Sequence, residues 1–383
     1  MLMLLIVGCR PAAAEPGEAP GLYASNISLK LEIQHAIDQG IGWLAGQQHA
    51  EIGSWSETDH PALSALAVAA IMGNPSRQPQ DPVPATAVRG YAFLAGKAKA
   101  DGGIYGKGLA VYNTALSLTA LLLNPGEEYA TLKLEARRFL INQQSDFDIR
   151  GEADNPYDGG VGYGGTYAHS DLSNTHLALE ALYYSKVLVA DSGGERDRRM
   201  DLDWDAAIRF VSRTQNLPAS SGEWASDDPR NRGGFVYFPG DSKAGKEELP
   251  GGRVALRSYG SMSYAGLLSF VYAGMERDDP RVVAVLDWLR RNYSVDENPG
   301  MGAEGRYYYY HTMAKALAIC GIEEFRLEDG RIVDWRRDLA ARLLSEQAAD
   351  GSWVNANGRW WENDPVLVTA YSLLALEHIY RCL

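Results

Sequence analysis

Six times along its length the chain sets a short polar or aromatic step directly against an Ala-rich, apolar helix. The copies read His60-Pro61-Ala62-Leu63-Ser64-Ala65, Val111-Tyr112-Asn113-Thr114-Ala115-Leu116, Asp171-Leu172-Ser173-Asn174-Thr175-His176, Tyr259-Gly260-Ser261-Met262-Ser263-Tyr264, Tyr309-Tyr310-His311-Thr312-Met313-Ala314 and Leu367-Val368-Thr369-Ala370-Tyr371-Ser372. In this register every copy carries Ser or Thr at one position: Ser64, Thr114, Thr175, Ser263, Thr312 and Thr369. The copies are about 50 to 90 residues apart, so the loops between them vary in length. Repetition at this scale means units that bury their apolar faces against their neighbours.

A charged, amphipathic helix precedes each of these segments, for example over 29–48, 132–144, 204–215 and 335–347. Trp204, Ile208, Val211 and Gln215 share one helical face, with Asp205, Arg209 and Arg213 opposite. Pairing one amphipathic with one apolar helix predicts two concentric layers. The apolar helices form an inner ring, their small residues allowing close approach, and the amphipathic helices form an outer ring with polar faces outward. The expected fold is all-α, a single (α/α)6 toroid. A Gly-aromatic element follows each outer helix: Gly53-Ser54-Trp55, Gly103-Ile104-Tyr105, Gly160-Val161-Gly162-Tyr163, Gly234-Phe235-Val236-Tyr237 and Gly351-Ser352-Trp353, with Gly300-Met301-Gly302 in the fifth repeat. Gly suits the left-handed backbone that ends a helix, and the aromatic is expected to pack back over the turn.

Trp43-Leu44 with Gln47, Gln48 and Gly53-Ser54-Trp55 resembles the QW motif of squalene-hopene and oxidosqualene cyclases. Leu343-Leu344 with Gln347 and Gly351-Ser352-Trp353 resembles a second, and Phe139-Leu140 with Gln143 and Gly160 a looser third. Such repeats also occur in protein prenyltransferase β subunits. The resemblance covers roughly residues 28–383 and implies one terpenoid cyclase/prenyltransferase-like barrel, where the cyclases usually have two.

The N-terminal stretch differs. Met1 to Gly8 is apolar and Ile6-Val7-Gly8-Cys9 resembles a bacterial lipobox, although no Lys or Arg precedes it. The expected organisation is a lipoprotein signal segment over 1–9 with lipidation at Cys9, a flexible linker over 10–27, and the toroid over 28–383. This implies an extracytoplasmic, membrane-anchored lipoprotein. The net charge of −13 argues against nucleic-acid binding or a polybasic membrane patch. Three cysteines without a Cys-x-x-Cys pair exclude a zinc ribbon and a disulfide framework.

In a toroid the chemistry belongs at the starts of the inner helices, where free backbone N–H groups also favour anions. Asp171-Leu172-Ser173-Asn174-Thr175 resembles the Asp-x-Asp-Asp-Thr element of squalene-hopene cyclases, whose middle Asp protonates the substrate. Here Ser173 and Asn174 replace the acids, so only Asp171 remains as a catalytic candidate; capping of its helix is the plain alternative. Tyr310-His311-Thr312 resembles the zinc-binding Tyr-His-Thr element of prenyltransferase β subunits, but the matching stretch of the preceding repeat holds neither Asp nor Cys, so no metal is expected. Of the run Tyr307-Tyr308-Tyr309-Tyr310, only one or two rings can face a cavity. With Tyr112, Tyr259 and Tyr264 they can form an aromatic wall able to stabilise carbocations or stack on sugars, the equal alternative being plain core packing with hydroxyls satisfied at the rim. Trp360-Trp361-Glu362 opens the last inner helix. The candidate ligand-binding residues are Ser173, Asn174, Tyr112, Tyr259, Tyr310, His311, Trp361 and Glu362.

The first functional expectation is a cyclase-like or prenyltransferase-like protein that binds or processes an isoprenoid or other apolar small molecule, with no cofactor. Two alternatives stand beside it: a non-catalytic extracytoplasmic binding or scaffold protein, and a carbohydrate-active toroid enzyme using two of Asp59, Asp171, Glu304, Glu362 and Asp364. Whether the chain is an enzyme is left open by the sequence.

Overall fold

The computed structural model describes residues 21–164, 169–191, 194–221 and 224–383. Cys9 and the rest of the expected signal segment lie outside these residues. Helix α1 (Gly21–Gln47) begins inside the stretch expected as a linker. The inner helices are α2 (Pro61–Gly73), α4 (Ala110–Leu122), α6 (Leu172–Asp191), α10 (Gly260–Tyr272), α12 (Arg306–Ile319) and α14 (Pro365–Cys382). The outer helices are α1, α3 (Ala85–Ala95), α5 (Ala130–Ile141), α8 (Trp204–Thr214), α11 (Pro280–Arg291) and α13 (Trp335–Glu346). Short helices α7 (Glu195–Arg199) and α9 (Pro218–Ser221) lie in the longer loops, as do the antiparallel hairpins β1–β2 (Lys246–Glu248, Val254–Leu256) and β3–β4 (Glu324–Arg326, Ile332–Asp334).

The inner helices contact one another in cyclic order: α2 with α4, then α6, α10, α12, α14 and back to α2. Each is buried on nearly every face, as helices packed on both sides must be. The outer helices bury one face only. In α8 this face is Ala207, Phe210, Val211 and Thr214, while Trp204 and Ile208 are half-buried; the buried stripe is rotated from the expected one. Arg213 is also not simply solvated, because it donates to the carbonyls of Asn155 and Ala153.

The repeated Ser/Thr position has a structural cause. Ser64 accepts the Trp55 N–H at 2.9 Å, Thr114 that of Ile104, Thr175 that of Val161, Ser263 that of Phe235 and Thr369 that of Trp353. Each bond pins a hairpin turn to the first turn of its inner helix. Repeat five lacks this turn, and Thr312 bonds back to the carbonyls of Tyr308 and Tyr309 within its own helix.

A glutamine ties neighbouring outer helices together. Gln48, Gln144, Gln215 and Gln347 each donate to a glycine carbonyl of their own turn and to the backbone of another outer unit, at Thr86, Asp203, Arg281 and Ala36. The Ala36 bond joins the last repeat to the first. In the third repeat the working residue is Gln144, not the Gln143 expected from sequence.

Candidate functional site

The starts of all six inner helices lie at one end of the ring, and the next repeat holds each of them. Asn113 of α4 accepts the Ala62 N–H of α2. The Tyr163 carbonyl accepts Val111 N–H of α4, and the Tyr237 carbonyl accepts Leu172 N–H of α6. Asn298 accepts Ser261 N–H of α10, and Glu362 accepts Tyr308 N–H of α12 at 2.8 Å. Ser56, in the first repeat, donates to Asp364, which caps α14 through Val366 N–H. At each inner-helix start, then, at least one of the N–H groups expected to attract anions is already paired within the protein.

Two cavities open among these helix starts. A chamber of about 540 Å³ takes its walls from five inner helices and from the loops that carry Tyr163, Tyr237 and Trp360-Trp361-Glu362. Tyr112, Tyr259, Tyr308 and Tyr371 supply much of the aromatic surface, with Leu109 and Met262. Ser173 and Ser261 add hydroxyls. Beside it, an open cleft of about 790 Å³ runs over the starts of α2 and α14, lined by polar side chains. Trp361 lines both.

Trp360 and Trp361 both have left-handed backbone, φ +55° and +64°, and more than 40% of each is exposed. Two consecutive bulky residues in this region cost on the order of 1–2 kcal/mol each. Three contacts hold them: Trp361 lies over His60 with ring centroids 4.9 Å apart, the Arg359 guanidinium sits over Trp360, and Arg359 pairs with Glu304. Gly305 gives room for Trp360, because a Cβ there would come within 2.9 Å of the indole.

Of the candidate residues, Tyr112, Tyr259, Ser173, Trp361 and Glu362 line the chamber. Asn174 and Asp171 lie behind its wall. Asp171 is fully buried and caps α6, accepting the Asn174 N–H at 2.9 Å and the Asn174 amide at 2.8 Å. Burial pushes its carboxyl up to about 6, against the lowering effects of the Asn174 bonds, His169 and the Tyr237 hydroxyl. Tyr310 does not line the chamber. Its hydroxyl donates to the Val295 carbonyl on the outer side, and Tyr308 is the member of the tyrosine run that faces inward.

His311 also lies below the chamber, stacked on Tyr371 with centroids 5.5 Å apart. It belongs to a polar layer across the ring, where Lys315 of α12 donates to Glu180 of α6 at 2.7 Å and His176 lies 3.8 Å from Glu180. Burial holds the imidazoles of His176, His311 and His378 below the ordinary range. Among the described residues no group of three or more His, Cys, Asp or Glu side chains is arranged to hold a metal ion.

In the fourth repeat the aromatic at the turn is Phe235, while in the third Val161 rather than the expected aromatic Tyr163 takes that position. Tyr163 and Tyr237 sit two residues further on and reach the chamber, with 3.3 Å between their hydroxyls. Burial pushes the Tyr163 phenol up to about 12. Glu57 occupies the same offset after Trp55 and faces the cleft. This offset was a readable signal. Tyr371, further along its helix, had none, and Met262 sits at the same third helical position as Tyr112.

No protein-family profile and no curated protein sequence matches this chain. Solved structures do. A variant of the type II terpene cyclase MstE from Scytonema, bound to geranylgeranyl dihydroxybenzoate, aligns with TM-score 0.57 and 10% identity over 93% of this chain and 99% of that one. The complex of another MstE variant with merosterolic acid A gives TM-score 0.56 at the same identity and coverage. A family 76 glycoside hydrolase (mannosidase) from Bacteroides thetaiotaomicron aligns with TM-score 0.52 and 12% identity over 91% of this chain and 97% of that one. At these identities the likeness is one of fold: the chain has the α/α toroid fold of terpenoid cyclases.

Proposed function

We propose that this chain binds a neutral, apolar molecule of the isoprenoid class in the aromatic chamber at the mouth of its toroid. The observation that carries this reading is the chamber itself: about 540 Å³, walled chiefly by tyrosines and two strained tryptophans. Its volume lies within the roughly 300–1,000 Å³ of small-molecule sites. Among the described residues the chamber lining carries Glu362 and no Lys or Arg, which disfavours a diphosphate, and the MstE neighbours, which hold a geranylgeranyl substrate and its product in related folds, add support. The test is titration of the purified protein with farnesol, followed by tryptophan fluorescence and native mass spectrometry. Saturable binding is expected, and Trp361→Ala is expected to weaken it about tenfold, or roughly 1.4 kcal/mol. No binding by either method overturns the reading.

A second reading, turnover of the ligand, is favoured by Asp171, a buried carboxyl raised to about 6 behind Tyr163 and Tyr237. Product analysis with wild type and Asp171→Asn tests it, and identical product formation by both would exclude Asp171 as the acid. We also propose that Cys9 is lipidated and tethers the domain outside the cytoplasm; loss of palmitate labelling in Cys9→Ala is the expected result.

A further inference from the structure

We infer that the open cleft beside the chamber is a second binding site, for a neutral polyhydroxylated head group, so that the natural ligand is an amphiphile with its apolar tail in the chamber and a sugar-like head in the cleft. The inference rests on the chamber reading and adds to it. Glu57 and Asp59 bring carboxylates to the cleft, beside Asp364, whose oxygens already accept from Ser56 and Val366, while Thr58, Lys107 and Asn363 bring donors. A hydroxyl both gives and accepts a hydrogen bond, and a wall offering both kinds of partner suits a run of hydroxyls better than a purely anionic or purely cationic group. Three carboxylates against one lysine oppose an anionic head. Trp361 provides a face 42% exposed, held at its angle by His60, on which the C–H side of a sugar ring can stack.

Trp361 also lines the chamber, so a molecule spanning both compartments passes along one indole. The cleft offers about 790 Å³, room for a head group of this size.

Isothermal titration of the full toroid with farnesol, farnesyl β-D-glucoside, farnesyl phosphate and farnesyl trimethylammonium separates the possibilities. The glucoside is expected to bind at least tenfold more tightly than farnesol. Asp59→Asn and Glu57→Gln, both at exposed positions, are expected to shrink that ratio to threefold or less. Farnesol binding as tightly as its glucoside overturns the head-group site and leaves the chamber reading standing. Preference for the phosphate or the ammonium compound overturns the neutral-head assignment. If none of the four binds, the chamber reading itself has failed.

Discussion

The turns that join outer to inner helices and the mouth formed by the inner-helix starts are built from the same six repeats, yet they behave in opposite ways. The turns are nearly identical: five times a Ser or Thr receives a backbone N–H from the hairpin, and four times a glutamine ties one outer unit to another. The mouth keeps only the scheme of one repeat holding the next. The group that does so varies: an Asn side chain at Asn113 and Asn298, a backbone carbonyl at Tyr163 and Tyr237, the Glu362 carboxylate and the Ser56 hydroxyl. Repetition marks what the ring needs in order to close; irregularity marks where the chain is free to shape a pocket.

The comparison breaks first at the turns. Gly159 has φ +84°, and a Cβ there would stand 2.1 Å from the Ala206 carbonyl oxygen. Gly159→Ala should cost on the order of 4 kcal/mol, the sum of backbone strain and overpacking, measured by urea unfolding. Gly108, at φ +74° near the mouth, has open space around it. Gly108→Ala should lose only the strain, about 1 kcal/mol. Equal losses would remove the distinction between tightly fitted turns and a permissive mouth.

A pH series sharpens the comparison at Asp171. The ordinary carboxyl value of 3.8 rises to about 6 in the folded chain. Between these values the folded state holds a proton that the unfolded state has released, so this group's contribution to stability falls as pH rises from about 4 to about 6 and stays low above it. Asp171→Asn keeps a capping oxygen. Asn174, whose Oδ1 is buried without a hydrogen-bond partner, can turn its amide to accept from the new donor. The variant should be more stable than wild type above pH 6 by up to about 2–3 kcal/mol, with the difference shrinking towards pH 4. Parallel stability profiles would show that the carboxyl is not strained by its burial.

The next effect separates repeats from one another. Ser64→Ala leaves the buried Trp55 N–H without an acceptor and should cost about 1–3 kcal/mol. Thr312→Val, at the same position of the fifth repeat, removes only a bond back to its own helix and should cost well under that. Equal losses on thermal unfolding would mean that the shared register, rather than the turn bond, explains this residue.

The legible and illegible parts divide along the same line. The six Ser/Thr residues, the glycine turns and the paired helices could be read because a closed ring repeats one hydrogen-bonding problem. Tyr112, Tyr259, Ser173, Trp361 and Glu362 could be placed at the mouth because they sit at or near inner-helix starts. Choosing Tyr308 over Tyr310 required the helix rotation about its axis, fixed by contacts such as the Tyr310 hydroxyl with Val295, and four consecutive tyrosines carry no such information. The sequence does not show that Tyr163 reaches the chamber instead of its turn, because an aromatic after a glycine turn looks alike whether it covers the turn or passes beyond it. Glu362 reached the mouth for a reason the sequence hid: it serves the helix of the preceding repeat, 54 residues away in the chain.

The smallest expected stability change is the most informative about function. Trp361 is strained, with φ +64°, and 42% exposed, so the fold gains little from its bulk. Asn tolerates left-handed backbone far better than Trp, and Trp361→Asn should relieve strain while losing the packing on His60. The two terms oppose each other, and unfolding stability should move by less than about 1 kcal/mol. Farnesol affinity should nevertheless fall at least fivefold, because the indole walls the chamber. A large stability loss with unchanged affinity would reverse this account: the tryptophan would then belong to the scaffold, and its strain would need a structural cause. Unchanged stability with lost affinity would place this costly backbone conformation in the service of the ligand.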